Sequence, residues 1–352
     1  MPQLLPGLEQ TTVVTSRARL AAITRPDRVD GQPVLFVHGN VSSSLFWQQS
    51  LLDVPEGYRP LAVDLRGFGD SEALPVDATR GVRDYSDDLA ALVEALELGP
   101  CHLVGWSMGG GVTLQYLRDR PDQVRSLTLV NPVSPYGFGA TRGLDGDLTD
   151  PDAAGAGGGS VNPEFVRRLA AHDTSADDAA SPRRVLLSYY VKPPFVPELL
   201  DVYVESMLST HVADGVYPGD SATVPGWPGF GPGPRGVLNT MAPTYFRIDD
   251  LHLIDPKPPI AWFRGAADQI VSDTSAFDLA HLGSLGVVPG WPGADVLPAQ
   301  PMVAQTRAVL ERYGAAGGRW TEVVFDDAGH SPHLEAPADF AKALAESLDA
   351  GR

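Results

Sequence analysis

The sequence predicts an α/β fold in which a mostly parallel central sheet is flanked by helices and interrupted once by a large insert. Short apolar runs such as Val34-Leu35-Phe36-Val37 and Cys101-His102-Leu103-Val104 alternate with stretches of helical period such as Leu89, Leu92, Val93 and Leu96. Strands buried on both faces and joined by amphipathic helices read this way. The alternation stops after Pro132, where the composition shifts to Gly, Pro and Asp, and resumes at Pro259-Ile260-Ala261-Trp262-Phe263.

In chain order, Thr12-Val13-Val14-Thr15, Arg19 to Ile23 and Val34 to Val37 read as strands. A helix is expected around Leu45 to Leu52, then the strand Arg59 to Val63, the helix Tyr85 to Leu96, the strand Cys101 to Val104, the helix Met108 to Arg118 and the strand Ser126 to Val130. A structureless loop from Pro132 to Pro256 is implausible in a compact domain, so residues 132–256 are expected to form an inserted cap with helical pieces at Glu164 to Ala171 and Val185 to Tyr190. Core segments of residues 1–131 and 257–352 flank it. The second adds a helix near Met302 to Tyr313, the strand Thr321 to Phe325 and a helix from Ala338 to Leu348.

Composition sets outer limits. The 352 residues are 43% hydrophobic and 20% charged, ample for a buried core. A formal charge of −18 argues against partners that need clustered Lys and Arg, so neither nucleic acid nor an anionic membrane surface is expected as a partner. With Cys101 the single cysteine there is no intrachain disulfide and no Cys-rich metal site, and no run of apolar residues reaches membrane-spanning length. A soluble cytoplasmic protein acting on a small molecule is the expectation.

One repeat interrupts the pattern: Val224-Pro225-Gly226-Trp227-Pro228-Gly229 recurs as Val288-Pro289-Gly290-Trp291-Pro292-Gly293. Each is a rigid turn presenting a tryptophan. Local packing, the wall of a substrate entrance and a contact between copies in a homo-oligomer are the alternatives.

The chemistry centres on Gly105-Trp106-Ser107-Met108-Gly109, between a strand and a helix. On a sharp strand-to-helix turn a serine hydroxyl projects from the sheet edge, and flanking glycines leave room for tight backbone. Chance alone supplies roughly 0.2 matches to this pattern in a chain of this Gly and Ser content, so partners decide its meaning. A serine nucleophile needs a base, and the base an acid to fix its tautomer. His330 follows the last core strand and is the expected base; Asp268, after Ile260 to Phe263, is the expected acid, favoured over Asp273, Asp326 and Asp327. Asn131, at a rival position for the acid, cannot carry the charge. An oxyanion needs two N–H donors, expected from Met108 and from Asn40, with Val41 as second choice, in the loop His38-Gly39-Asn40-Val41. Val41, Trp106, Trp227 and Tyr245 are the candidate substrate contacts. No metal or cofactor is required.

These pieces resemble the α/β-hydrolase family: His38-Gly39-Asn40, Asp64 to Ser71, the Ser107 turn, the Asp268 segment and Gly329 to Glu335 stand in that family's order. The resemblance implies the α/β-hydrolase fold with a Ser107, His330 and Asp268 triad beneath a large inserted cap. The early loop is similar to that of haloalkane dehalogenases, which with epoxide hydrolases use an aspartate nucleophile; Ser107 points instead to acyl transfer. The expected activity is hydrolysis of a carboxylic ester or lactone of a bulky apolar small molecule. Cleavage of a carbon–carbon bond or an amide by the same triad, and a ligand-binding or signalling protein on the same fold, are the alternatives.

Overall fold

The computed structural model describes residues 3–352; Met1 and Pro2 lie outside them. One eight-stranded sheet runs in the order β1 (Glu9–Val14), β2 (Arg19–Thr24), β4 (Tyr58–Val63), β3 (Gln32–Val37), β5 (Cys101–Trp106), β6 (Val124–Val130), β11 (Ile260–Gly265) and β12 (Trp320–Phe325). β2 is antiparallel to β1 and β4, and every later pairing is parallel. The parallel strands therefore end on one edge, and the loops after them share one face. Between β3 and β5 the strand order reverses, and open α/β sheets place their ligands at such a switch point. Val37 pairs with Gly105 there, so the loops beginning at His38 and Trp106 emerge side by side.

The sheet's faces are covered by α1 (Gln48–Asp53), α2 (Arg83–Ala95), α3 (Met108–Asp119), α8 (Met302–Ala315) and α10 (Pro337–Asp349). Every residue of β5 is buried, His102 with both ring nitrogens hydrogen-bonded to Ser126 Oγ and Gln32 Oε1. The helix expected at Leu45 to Leu52 is split into a 3-10 turn, Ser44–Trp47, and α1. The turn from Asp64 to Ser71 is held from inside: Asp64 accepts from Ser44 N at 2.7 Å and Asp70 N at 3.0 Å, while Arg66 grips Asp88 with two 2.5 Å bonds.

The segment between β6 and β11 adds no strand to this sheet. It contains the ribbon β7 (Thr141–Arg142) with β8 (Asp147–Leu148), the helices α4 (Pro163–Ala170), α5 (Pro182–Val185) and α6 (Leu200–Leu208), and the hairpin β9 (Ser221–Thr223) with β10 (Phe230–Pro232). The helical piece expected at Val185 to Tyr190 continues α5 as one π turn, Leu186–Tyr190. Buried Gln300 and Gln305 fasten the start of this insert to the core through Gly139 N, Gly137 O and Thr141 Oγ1. Between β11 and α8 stands α7 (Leu279–Ser284), which the Gly/Pro-rich composition of that stretch concealed. The two repeats meet: Trp227 Nε1 donates to Pro289 O at 3.0 Å, and Trp291 packs on Gly283 of α7. Among the described residues no helix is long and apolar enough to cross a membrane.

Candidate active site

Ser107 sits between the last residue of β5 and the first of α3 at φ 56° and ψ −121°. Side chains rarely adopt such a backbone, and holding one costs about 1–3 kcal/mol. Packing holds it here: Ser107 N donates to Val130 O at 2.9 Å, and Ser107 O accepts from Gly110 N at 2.9 Å and Val133 N at 3.0 Å. Close approach sets the glycine that follows, since a Cβ on Gly109 would stand 2.4 Å from the carbonyl oxygens of both Val37 and His38. Ser107 is the partly exposed residue in an otherwise buried run from Cys101 to Leu117.

His330 arrives from the far side of the sheet. After β12 the chain turns and enters α9 (Pro332–Glu335), leaving His330 buried with Nδ1 2.8 Å from Asp268 Oδ2. The other carboxylate oxygen accepts from Ile270 N at 2.7 Å and Val271 N at 3.1 Å. Asp268 is thereby fixed as an acceptor, which places the imidazole proton on Nδ1 and leaves Nε2 a lone pair. No hydrogen bond joins Ser107 Oγ to His330 among the described residues; Trp106 links them, donating from Nε1 to His330 O at 2.8 Å. The rival acids are elsewhere: Asp273 accepts from Val303 N and Ala304 N at the start of α8, and Asp326 and Asp327 are exposed. Asn131 has a different use. At φ 39° its Nδ2 donates to Gly329 O and His330 O, and its Oδ1 accepts from Gly265 N, tying together the two loops that carry the acid and the base.

The early loop is pinned by its carbonyls. Leu65 N donates to His38 Nε2 at 2.9 Å, so Nδ1 carries the proton and donates to Gly39 O at 2.7 Å; Ser42 Oγ donates to the same oxygen at 2.9 Å. Burial pushes His38 down to about 4, which keeps this arrangement neutral. A trans peptide sets its N–H opposite its C=O, so the Asn40 N–H faces away from these donors and has no acceptor among the described residues. Gly39 lies against the serine: a Cβ there would stand 2.9 Å from Ser107 Cβ and 3.4 Å from Oγ. Met108 N, first in α3, has no acceptor within its helix.

A sequence profile described as the alpha/beta hydrolase fold matches residues 32–185. The enol-lactonase from Burkholderia xenovorans LB400 superposes with a TM-score of 0.60 and 15% identity, covering 96% of this chain and 100% of that one. The chain has the α/β-hydrolase fold. A protein of Variovorax paradoxus provisionally named carbamate hydrolase RutD is 39% identical over 127 residues, 36% of this chain and 47% of its own length. The 2-hydroxymuconate semialdehyde hydrolase of Pseudomonas sp. strain CF600 is 35% identical over 118 residues, 33% of this chain and 41% of that protein. The chain thus matches less than half the length of either relative.

Of the four expected substrate contacts, Trp106 adjoins Ser107 in sequence and Val41 stands in the early loop, and both are buried. Trp106 has no exposed surface with which to line a binding site, and its indole N–H is spent on His330 O. Val41 is 1% exposed and contributes backbone, at φ 47°. Trp227 is occupied by the second repeat, and the Tyr245 carbonyl packs against Gly81. Two further residues escaped notice. Glu335 accepts from Lys192 N at 2.6 Å and Gly329 N at 2.9 Å, joining the insert to the His330 loop, and burial raises its carboxyl above the usual range. Tyr190, expected only as the end of a helical piece of the insert, touches Trp106 and His330 with its ring and the early loop with its hydroxyl. A glutamate five residues after the base was visible in the sequence, but nothing marked its partners. Clefts of about 480 and 290 Å³ lie at β12 with α10 and beside Asp64. Neither is lined by Ser107, His330 or Asp268.

Proposed function

We propose that this α/β hydrolase cleaves a carboxylic ester or lactone of a bulky apolar small molecule through an acyl-enzyme on Ser107. The observation that carries the reading is the 2.8 Å pair of His330 Nδ1 with an Asp268 carboxylate otherwise held by backbone N–H groups. It presents a basic Nε2 on the strand-end face that carries Ser107. His330 takes the Ser107 proton as the oxygen attacks the carbonyl carbon, and the Met108 and Asn40 N–H groups stabilise the oxyanion. Collapse breaks the bond to the leaving alkoxide, which receives the proton from His330. His330 then takes a proton from water, whose oxygen attacks the acyl carbon; Ser107 leaves, reprotonated. Every group needed is supplied by the chain. The segment 132–256 acts in this reading as the cap that selects the substrate, and the similarity to an enol-lactonase fold supports an ester or lactone class.

The relative that hydrolyses 2-hydroxymuconate semialdehyde favours a second reading, carbon–carbon bond hydrolysis by the same triad. Turnover of a panel of aryl esters, lactones and vinylogous diketones separates them. Ester or lactone turnover with inert diketones is expected; diketone turnover with inert esters would replace the first reading with the second.

A further inference from the structure

We propose that Tyr190 is a positioning residue for the oxyanion loop, the point at which the insert holds the His38–Val41 backbone in its working conformation. This rests on the reading of Ser107 as the acylated nucleophile. Tyr190 ends the π turn Leu186–Tyr190, and irregular helical turns of this kind recur at functional sites. Its hydroxyl donates to Asn40 O at 2.9 Å and lies 3.4 Å from Val41 O. No other donor among the described residues reaches either oxygen. Its ring is fixed by Trp106 and Phe46, with centroids at 5.8 and 6.1 Å, and by His330 at 6.1 Å.

The two carbonyls it faces flank Val41, whose φ of 47° is an outlier for a β-branched side chain. A backbone in such a conformation persists only when its surroundings hold it. The peptide before Asn40 is held from the core by His38 and Ser42. Among the described residues the carbonyl of the peptide after it accepts only from Tyr190. Release of that second peptide lets Val41 relax and frees the chain on the C-terminal side of Asn40, so that the Asn40 N–H, then anchored from the Gly39 side alone, loses its fixed aim. A hydroxyl on the insert thus governs a donor on the core. Burial raises the Tyr190 hydroxyl far above its ordinary value, so it remains a donor at every working pH.

The test compares Tyr190→Phe, which keeps the ring, with Tyr203→Phe. Tyr203 belongs to the same aromatic cluster, 4.7 Å from Phe46, without a hydrogen bond to the early loop. Steady-state turnover of an aryl ester and inhibition by an aryl trifluoromethyl ketone, which forms the tetrahedral adduct on serine, are measured for both and for the wild type. Tyr190→Phe is expected to lower kcat about 10- to 30-fold with KM within about twofold, and to weaken the ketone by the same factor. Tyr203→Phe should change neither. Val41→Gly, which accepts this φ without strain, should shrink the loss caused by Tyr190→Phe when the two are combined. Wild-type kcat and ketone affinity in Tyr190→Phe, or an equal loss in Tyr203→Phe, would overturn the proposal while leaving Ser107 as the nucleophile. A wild-type protein that neither turns over the ester nor binds the ketone would overturn both.

Discussion

Asn131 holds His330 by its backbone: the asparagine Nδ2 lies 2.9 Å from the histidine carbonyl oxygen, while its Oδ1 receives the Gly265 N–H at 3.1 Å. One buried amide therefore joins the end of β6, the end of β11 and the loop after β12. Asn131→Ala takes the side-chain partner from the buried Gly265 N–H and Gly329 carbonyl, while His330 O keeps Trp106 Nε1, and should cost about 2 kcal/mol of stability. It should also lower kcat about 10-fold by loosening His330. Asn131→Asp presents a carboxylate to two carbonyl oxygens and should be at least as damaging. Denaturant titration and steady-state kinetics on the two variants check both effects, and wild-type values in either variant would contradict the bridging role.

Asp268 is bonded to His330 Nδ1 and to two backbone N–H groups, whereas Asp326 and Asp327 are exposed. Asp268→Asn can present an amide N–H to Nδ1 and so favour the wrong imidazole tautomer. A fall in kcat of about 10³- to 10⁴-fold is expected, against less than about twofold for Asp326→Asn or Asp327→Asn. Equal small losses in all three would remove Asp268 from the triad.

His333 supplies a pH test. It is buried with ring centroids 4.4 Å from Trp47 and 5.0 Å from Trp106, and neither ring nitrogen has a partner among the described residues. Burial first, and the neighbouring His330 second, push it down to about 3 from an ordinary value of 6.5. Between those values the unfolded chain binds the proton and the folded chain does not, so stability is lost as pH falls below about 6.5. His38 and His102, each lowered to about 4, act in the same direction; Asp64, raised to about 6, acts in the opposite one. A variant comparison cancels these shared contributions. The stability of His333→Phe relative to wild type should rise as pH is lowered from 8 to 5, measured by denaturant unfolding. Parallel curves would show that His333 is not held neutral.

Gly109 separates helix propensity from packing. In an isolated helix, alanine in place of glycine gains about 1 kcal/mol. Here the new Cβ would lie 2.4 Å from two backbone oxygens, which cannot move without shifting β3. Gly109→Ala should therefore lower Tm by several degrees and reduce activity. A raised Tm with intact turnover would mean that β3 and α3 are not in the close contact described.

Most of the frame was legible because its signals are local. Val34 to Val37 is a continuous apolar run and Cys101 to Val104 is apolar but for His102, and parallel strands deliver whatever follows them to one edge, so Ser107, Asp268 and His330 could be ordered from the sequence. What escaped depends on contacts across long separations. Asn131 was excluded as an acid on charge, yet its amide bridges two strands whose adjacency no local pattern encodes. Trp106 was expected to face substrate, but its indole N–H finds His330 O, 224 residues away in sequence. Tyr190 looked like one aromatic among many in the insert until the π turn aimed its hydroxyl at Asn40. Helix α7 was hidden because its six residues run directly into a Gly- and Pro-rich stretch that follows them.

The central claim is that Ser107 is an activated nucleophile, and intact-mass measurement after treatment with a fluorophosphonate tests it most directly. The folded wild-type chain should gain one phosphonyl group per molecule, located on Ser107 by peptide mapping, and Ser107→Ala should gain none. A folded wild-type protein that remains unmodified, or a Ser107→Ala variant labelled to the same extent, would contradict the account.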